Sequence, residues 1–318
     1  MIFRSTAESD LERFSPLFAG DPPGSMTADR YRRRISTGEH RPEWTWIAEE
    51  SARGPVLAVA AWWGQPGESL PVSLDSLFAA ESLSSADRVS VAAGLITAAQ
   101  EAFAKAGAPE APAYHVFLPA GWRDQPSVAA AFGWRERAAR QAGLTATLER
   151  LSYEWTPRDG LPAPRNRLVF RAEPDDEVFA LLFERTLQGT LDATSRQEAA
   201  KMGAEAQARQ DMAFYRDKMP GERSWWRIAE TPGGEVAGFG IPSRNTEFPV
   251  VGYLGVLPGH RGHGYAEDIL AEITRILAAE AAAQVIRADT DLANRPMAAA
   301  FERVGYRNTE SHLVLSAP

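Results

Sequence analysis

The chain has 318 residues, 44% hydrophobic and 24% charged, with 34 Lys and Arg against 42 Asp and Glu for a net charge of −8. The length suggests two domains, the apolar fraction excludes a largely disordered chain, and no apolar stretch approaches the ~20 residues of a membrane-spanning helix. With no cysteine, disulfides, thiolate metal sites and a cysteine nucleophile are excluded, and the acidic balance argues against a nucleic-acid partner. The start shows no basic head before an apolar run, so no secretory signal is expected and the cytoplasm is the default location.

In chain order, Ile2-Phe3-Arg4 reads as a strand and Asp10–Leu17 as an amphipathic helix. Arg30-Tyr31-Arg32-Arg33-Arg34 reads as one helix surface balanced by nearby acids. Trp46–Glu49 and Val56–Trp63 read as strands about a Gly-Pro turn, with Trp44, Trp46, Trp62 and Trp63 expected in packing. A long alanine-rich helix is predicted over Ser85–Ala106. Between residues 156 and 167 three prolines and a glycine oppose both helix and sheet. The order of elements then repeats. Val169-Phe170-Arg171 is a strand, and a helix runs from Pro174-Asp175-Asp176 to Leu187. A mixed-charge helix is predicted over Met202–Lys218, with strands at Arg227–Glu230 and Glu235–Ile241. A strand from Val250, a helix over Tyr265–Ala283, a strand over Val285–Asp291 and a helix from Asn294 follow. A repeat of this size predicts two copies of one α/β fold, with domains at 1–155 and 168–318 and a linker at 156–167.

One segment carries chemistry. Val250–Val256 is a β-branched, apolar strand, and Pro258 ends it because proline cannot continue a ladder. Arg261-Gly262-His263-Gly264-Tyr265-Ala266-Glu267 then opens a helix. Glycine lets backbone approach a ligand closely, and the free N–H groups of a first helical turn favour an anion such as pyrophosphate. The phosphate-loop signature is absent, and Gly262-x-Gly264 lacks the third glycine of a dinucleotide fingerprint.

Val256-x-Pro258-x-x-Arg261-Gly262-x-Gly264-x-Ala266 resembles the acyl-CoA-binding motif of the GNAT N-acetyltransferase superfamily. Asn294 to Tyr306, an Asn-started helix ending in Gly-Tyr, resembles the family's second motif. The resemblance implies tandem GNAT-like domains, each a twisted, mostly antiparallel sheet flanked by helices. Ser73–Arg88 carries no Arg-Gly-x-Gly, so the first copy is expected to be degenerate, shaping the substrate cleft, stabilising its partner or mediating a homodimer.

The resemblance further implies acetyl-CoA as cosubstrate and no metal. The backbone of Leu254, Gly255 and Val256 would pair with the pantetheine arm, with a nearby N–H polarising the acyl carbonyl. Arg261, Gly262, His263, Gly264, Tyr265, Ala266 and Glu267 would surround the pyrophosphate, and Asn294 would touch the cofactor from the other side. His260 and His263 are expected at the solvent with some phosphate contact. The implied reaction is direct attack of a neutral amine on the thioester. That requires a base. Asp289 and Asp291 alternate onto one face of their strand, and some family members place an acidic base at the position of Asp289; capping of the next turn is the competing role. Tyr253 and Asp192 are substrate-pocket candidates, Asp192 equally a cap for the helix beginning Ala193-Thr194-Ser195. The tyrosine that serves as general acid in many members is here Phe301. The expected acceptor is a small-molecule amine, with a protein amine, or acyl-CoA sensing without transfer, as alternatives.

Overall fold

The computed structural model describes residues 1–19, 23, 26–219, 221–245 and 247–318. It divides into two compact units, Met1–Glu149 with Ser311–Pro318, and Arg150–Glu310. The Pro-rich segment 156–167, expected as a linker, falls inside the second unit, and residues 311–318 count with the first.

The first unit begins with β1 (Ile2–Ser5), α1 (Leu11–Phe14) and α2 (Ala28–Thr37). Strands β2 (Thr45–Glu49), β3 (Val56–Trp63) and β4 (Ser73–Ala79) form an antiparallel meander with β1. Helix α3 (Ser85–Lys105) crosses over to β5 (Ala113–Pro119), which runs parallel to β4, and α4 (Pro126–Gln141) follows. Ser84 starts α3 by accepting from the backbone N–H of Asp87 at 3.2 Å. Ala92, Leu95, Ile96, Ala99 and Phe103 then recur at helical spacing and pack on Ala60, Trp62 and Leu74. Trp44 and Trp62 are buried, as expected, and Arg32 and Arg34 of the basic helix pair with Asp29, Glu12 and Asp75.

From Val169 onward the chain repeats that order, and the strands over Ala146–Trp155 and Arg307–Ser316 each have residues in both units. β6 (Ala146–Trp155) is followed by β7 (Val169–Arg171), α5 (Asp176–Leu187), α6 (Ala193–Met202) and α7 (Ala204–Asp217). Next come β8 (Arg227–Glu230), β9 (Val236–Arg244), β10 (Pro249–Val256), α8 (Tyr265–Glu280), β11 (Ile286–Asp291), α9 (Arg295–Val304) and β12 (Arg307–Ser316). The strand order in the second unit is β6-β11-β10-β9-β8-β7, mixed, with β10 and β11 parallel across α8 and the other pairs antiparallel. The helix predicted over Met202–Lys218 is α7, which begins after Gly203, where φ +91° ends the preceding α6 because no helical residue adopts it.

Helix α8 lies close on the sheet. Gly238 and Gly240 of β9 face Ile269 and Ile273 of α8, where added methyl groups would meet isoleucine carbons at 2.9 Å. A Cβ on Gly238 would also sit 2.2 Å from the carbonyl oxygen of Gly255. Gly238→Ala is therefore expected to destabilise the protein by about 3 kcal/mol, read as a lower urea midpoint. An unchanged midpoint would mean that β9 and β10 separate freely.

Candidate functional site

The site forms where two parallel strands part. β10 pairs with β9 along to Val256 but meets β11 in register only at Val250↔Arg287. Beyond that point one backbone edge of β10 lacks a strand partner. A cavity of about 600 Å³ opens there, lined by Tyr253, Leu254, Gly255, Val256, Arg261, Gly262, Gly264, Tyr265, Ala266, Glu267 and Asn294. Of the residues expected around the cofactor, only His263 is outside this lining; its ring stacks on Tyr265 at 5.6 Å.

The turn leading into α8 has φ +83° at Gly262 and +74° at Gly264, backbone that costs other residues ~1–2 kcal/mol. Gly264 is the N-cap and brings no capping side chain. The first-turn N–H groups of α8 are thus left for a ligand beside the cavity.

Arginines hold this turn from behind. Arg167 donates at 2.9 Å to both carboxylate oxygens of Asp268 and at 3.0 Å to the carbonyls of His263 and Gly264. Glu267, also in the first turn, accepts from Arg303 at 2.6 Å and from Arg165. These partners hold its carboxyl below the usual range against the opposing effect of burial. Two acids at a helix start would repel a phosphate; three guanidinium groups cancel them. Arg165 and Arg167 were missed because they sit in the Pro-rich segment. The available signal was two cations in a stretch otherwise poor in side-chain chemistry.

Arg261 lines the cavity, and its side chain is engaged within the protein. Its guanidinium donates to the carbonyls of Val256 at 3.1 Å, Gln188 at 2.6 Å, Gly189 at 3.1 Å and Thr186 at 2.8 Å. It satisfies the open carbonyls at the end of α5 and ties that end to the turn. Asn294 caps α9, accepting from the N–H of Met297 at 3.4 Å; Met297 and Arg303 of the same motif also line the cavity, as do Thr186 and Gly189, which the motifs do not include.

The candidate acids separate in environment. Asp289 is exposed and accepts from Ser152 at 2.6 Å. Asp291 is 1% exposed, accepts from the N–H of Ala193 at 2.6 Å, and burial raises its pKa. Its Oδ1 has no hydrogen-bond partner among the described residues, with Arg150 Nε 3.7 Å away. The one-face expectation thus ends with Asp291 covered by the start of α6. Asp192 caps α6, accepting from Ser195 N–H at 2.7 Å. Tyr253 lies 3.3 Å from Thr186 Oγ1, and burial pushes its phenol up to about 12. Phe301 is buried and stacked on Tyr153 at 4.8 Å, and the Tyr306 hydroxyl bonds Thr274 at 2.9 Å.

Residues 191–306 match the model of the acetyltransferase (GNAT) family. No curated protein matches the chain. A GCN5-related N-acetyltransferase from Sphaerobacter thermophilus is 15% identical over 98% of this chain and 94% of its own, with a TM-score of 0.54, and shares the fold. A tandem GNAT protein from the clavulanic acid biosynthesis pathway is 16% identical over 100% and 98%, with a TM-score of 0.43. An acetyltransferase from Colwellia psychrerythraea is 10% identical over 100% of both chains, with a TM-score of 0.47.

Proposed function

Because residues 191–306 belong to the acetyltransferase (GNAT) family, we propose that the protein transfers an acetyl group from acetyl-CoA to the primary amine of a small molecule by direct attack. The observation that supports this most is the meeting of an unpartnered β10 edge with an uncapped helix start in one cavity of about 600 Å³. Main-chain groups of Leu254, Gly255 and Val256 would bind the extended arm, and the turn Gly262–Glu267 would hold the pyrophosphate. Acetyl-CoA, when bound, supplies the activated acyl group. The amine nitrogen forms the new amide bond as the carbon–sulfur bond breaks, and its surplus proton passes to a base. Asp289 and Asp291 are the candidates. Asp291 is preferred because burial raises its carboxyl and so strengthens it as a base; neither acid is among the residues lining the cavity, so the proton must reach it through an intervening group or water. Tyr253 lines the cavity and is the candidate for the acceptor side, while Asp192 caps α6 and is not among the lining residues.

The reading is tested by release of CoA from acetyl-CoA across a panel of primary amines, with saturation in both. Asp291→Asn is expected to lower kcat about 100-fold with little change in acetyl-CoA affinity, and Asp289→Asn by no more than a few-fold. Equal losses in the two variants would displace Asp291 as the base. A second reading, acyl-CoA binding without transfer, is favoured by Phe301, which puts a buried ring where many relatives carry an acid. Tight acetyl-CoA binding with no transfer to any amine would select it.

A further inference from the structure

We propose that Arg261 is a positioning residue for the acceptor: reaching out of the cofactor turn, its guanidinium holds residues 188–191 as the wall against which the amine binds. This rests on the transferase reading above and deepens it. The cavity lining divides by what each part would hold. The β10 edge, the turn 262–267 and Asn294 belong to the cofactor. Thr186, Gly189, Thr190 and Leu191 also line the cavity and come from the end of α5 and its connection to α6. With Tyr253 they are left for the acceptor. Leu191 is an exposed leucine, an apolar surface open to a ligand's carbon skeleton.

Helix α5 ends at Gln188, whose backbone is extended at φ −63° and ψ 110°, with no capping N–H bond among the described residues. Gly189 then turns at φ +66°. The last carbonyls of the helix are thus left open where a closing turn would have satisfied them. They fall to Arg261: Nη2 donates to Thr186 at 2.8 Å, and Nη1 to Gln188 at 2.6 Å and to Gly189 at 3.1 Å. Nε donates to the Val256 carbonyl at 3.1 Å, on the strand along which the acyl arm would lie. Four of the five guanidinium N–H donors are used in this way.

One planar group therefore sets the spacing between the acyl arm's strand and the acceptor's wall. Thr186 in turn stands beside Tyr253, with 3.3 Å between their hydroxyl oxygens, so the tie reaches the other acceptor-side residue. The far end of the connection is held separately, by Arg196 on the Thr190 carbonyl at 3.0 Å and by Asp291, which accepts from the N–H of Ala193 at 2.6 Å. Transfer needs the amine nitrogen within about 3–3.5 Å of the thioester carbon, and a displacement of about 1 Å costs ~100-fold in rate. Arg261 acts on that placement through the wall, without touching the reacting atoms.

The test uses the full chain with Arg261→Lys, Arg261→Gln and Gly189→Ala, and butylamine and phenylethylamine as acceptors. Lysine keeps the charge beside the turn, but one ammonium cannot span Val256 and the three carbonyls ending α5. Arg261→Lys is expected to lower kcat/KM for the amine about tenfold or more at saturating acetyl-CoA, while the calorimetric Kd for acetyl-CoA changes by no more than about threefold. Arg261→Gln gives up the charge as well and should weaken both. Gly189→Ala leaves the turn unaltered. Its Cβ would stand 3.2 Å from Arg261 Nη1 on backbone at φ +66°, so it should reproduce the amine loss alone. Hydrogen exchange gives a readout free of activity. The amides of Thr190 and Ala193, which donate to Leu187 at 3.1 Å and to Asp291, should exchange about tenfold faster or more in Arg261→Lys and Gly189→Ala, with the amides of α8 unchanged. A loss of acetyl-CoA affinity in Arg261→Lys as large as its loss with the amine would make Arg261 a cofactor ligand and overturn the proposal. So would an amine kcat/KM untouched by Arg261→Lys or Gly189→Ala, or unchanged exchange at Thr190 and Ala193. Should no amine react with the wild-type protein, the transferase reading falls, and the exchange measurement alone decides whether Arg261 holds the wall.

Discussion

Gly264→Glu is expected to raise the Kd for acetyl-CoA at least about 100-fold, a loss of about 2.7 kcal/mol, with the fold retained. Three effects add. Gly264 holds φ +74°, which costs a side-chain-bearing residue ~1–2 kcal/mol. Its added Cβ would stand 3.1 Å from Arg167 Nη1 and 3.3 Å from Nη2. The new carboxylate would lie at the helix start that is to receive phosphate, where Arg165, Arg167 and Arg303 are already engaged by Glu267 and Asp268. Direct titration of acetyl-CoA checks the result, and thermal unfolding separates it from loss of structure. An unchanged Kd would remove the turn from the cofactor site.

Arg167→Ala should lower stability and acyl-CoA affinity together. Asp268 is 4% exposed and would lose its bidentate partner. Orphaning a buried carboxylate costs ~3–5 kcal/mol. The Arg167 side chain is 40% exposed, so water takes over part of its role and about 2 kcal/mol is the expected loss. That is a fall in Tm of about 4–8 °C for a unit of this size. The carbonyls of His263 and Gly264 are released as well, and acetyl-CoA affinity is expected to drop about tenfold. Arg167→Lys separates the two effects. A single ammonium restores charge beside Asp268 but cannot span both the carboxylate and the two carbonyls, so stability should recover more than affinity. Full recovery of both would reduce Arg167 to a point charge.

The glycine turn was legible because its conformational demand is local. Two glycines at positive φ and a proline ending a strand write themselves into neighbouring positions. The repeated order of elements was legible for the same reason, since each strand and helix follows from its own periodicity. The arginine clamps were not. Arg167 and Asp268 are 101 positions apart and Arg165 and Glu267 are 102, and nothing in either short segment names its partner. The side-chain role of Arg261 was not legible either. The motif identifies the residue correctly, yet its charge serves the carbonyls ending α5. The acids of β11 alternate as their spacing requires, but the later placement of α6 decides that Asp291 is covered and Asp289 is not.

Leu313 and Leu315 are 3% and 0% exposed, in one core with Val116 and Leu118 of β5. On a ribosome, the first unit to be synthesised is thus the last to be completed. Its core waits for residues translated after the whole of 150–310, so the second unit has all of its chain available while the first still exposes apolar surface. Cutting the gene at the proline-rich segment would leave an amino-terminal fragment without those two leucines. The unit that carries the glycine turn is in this sense kinetically prior, although it comes second in the sequence.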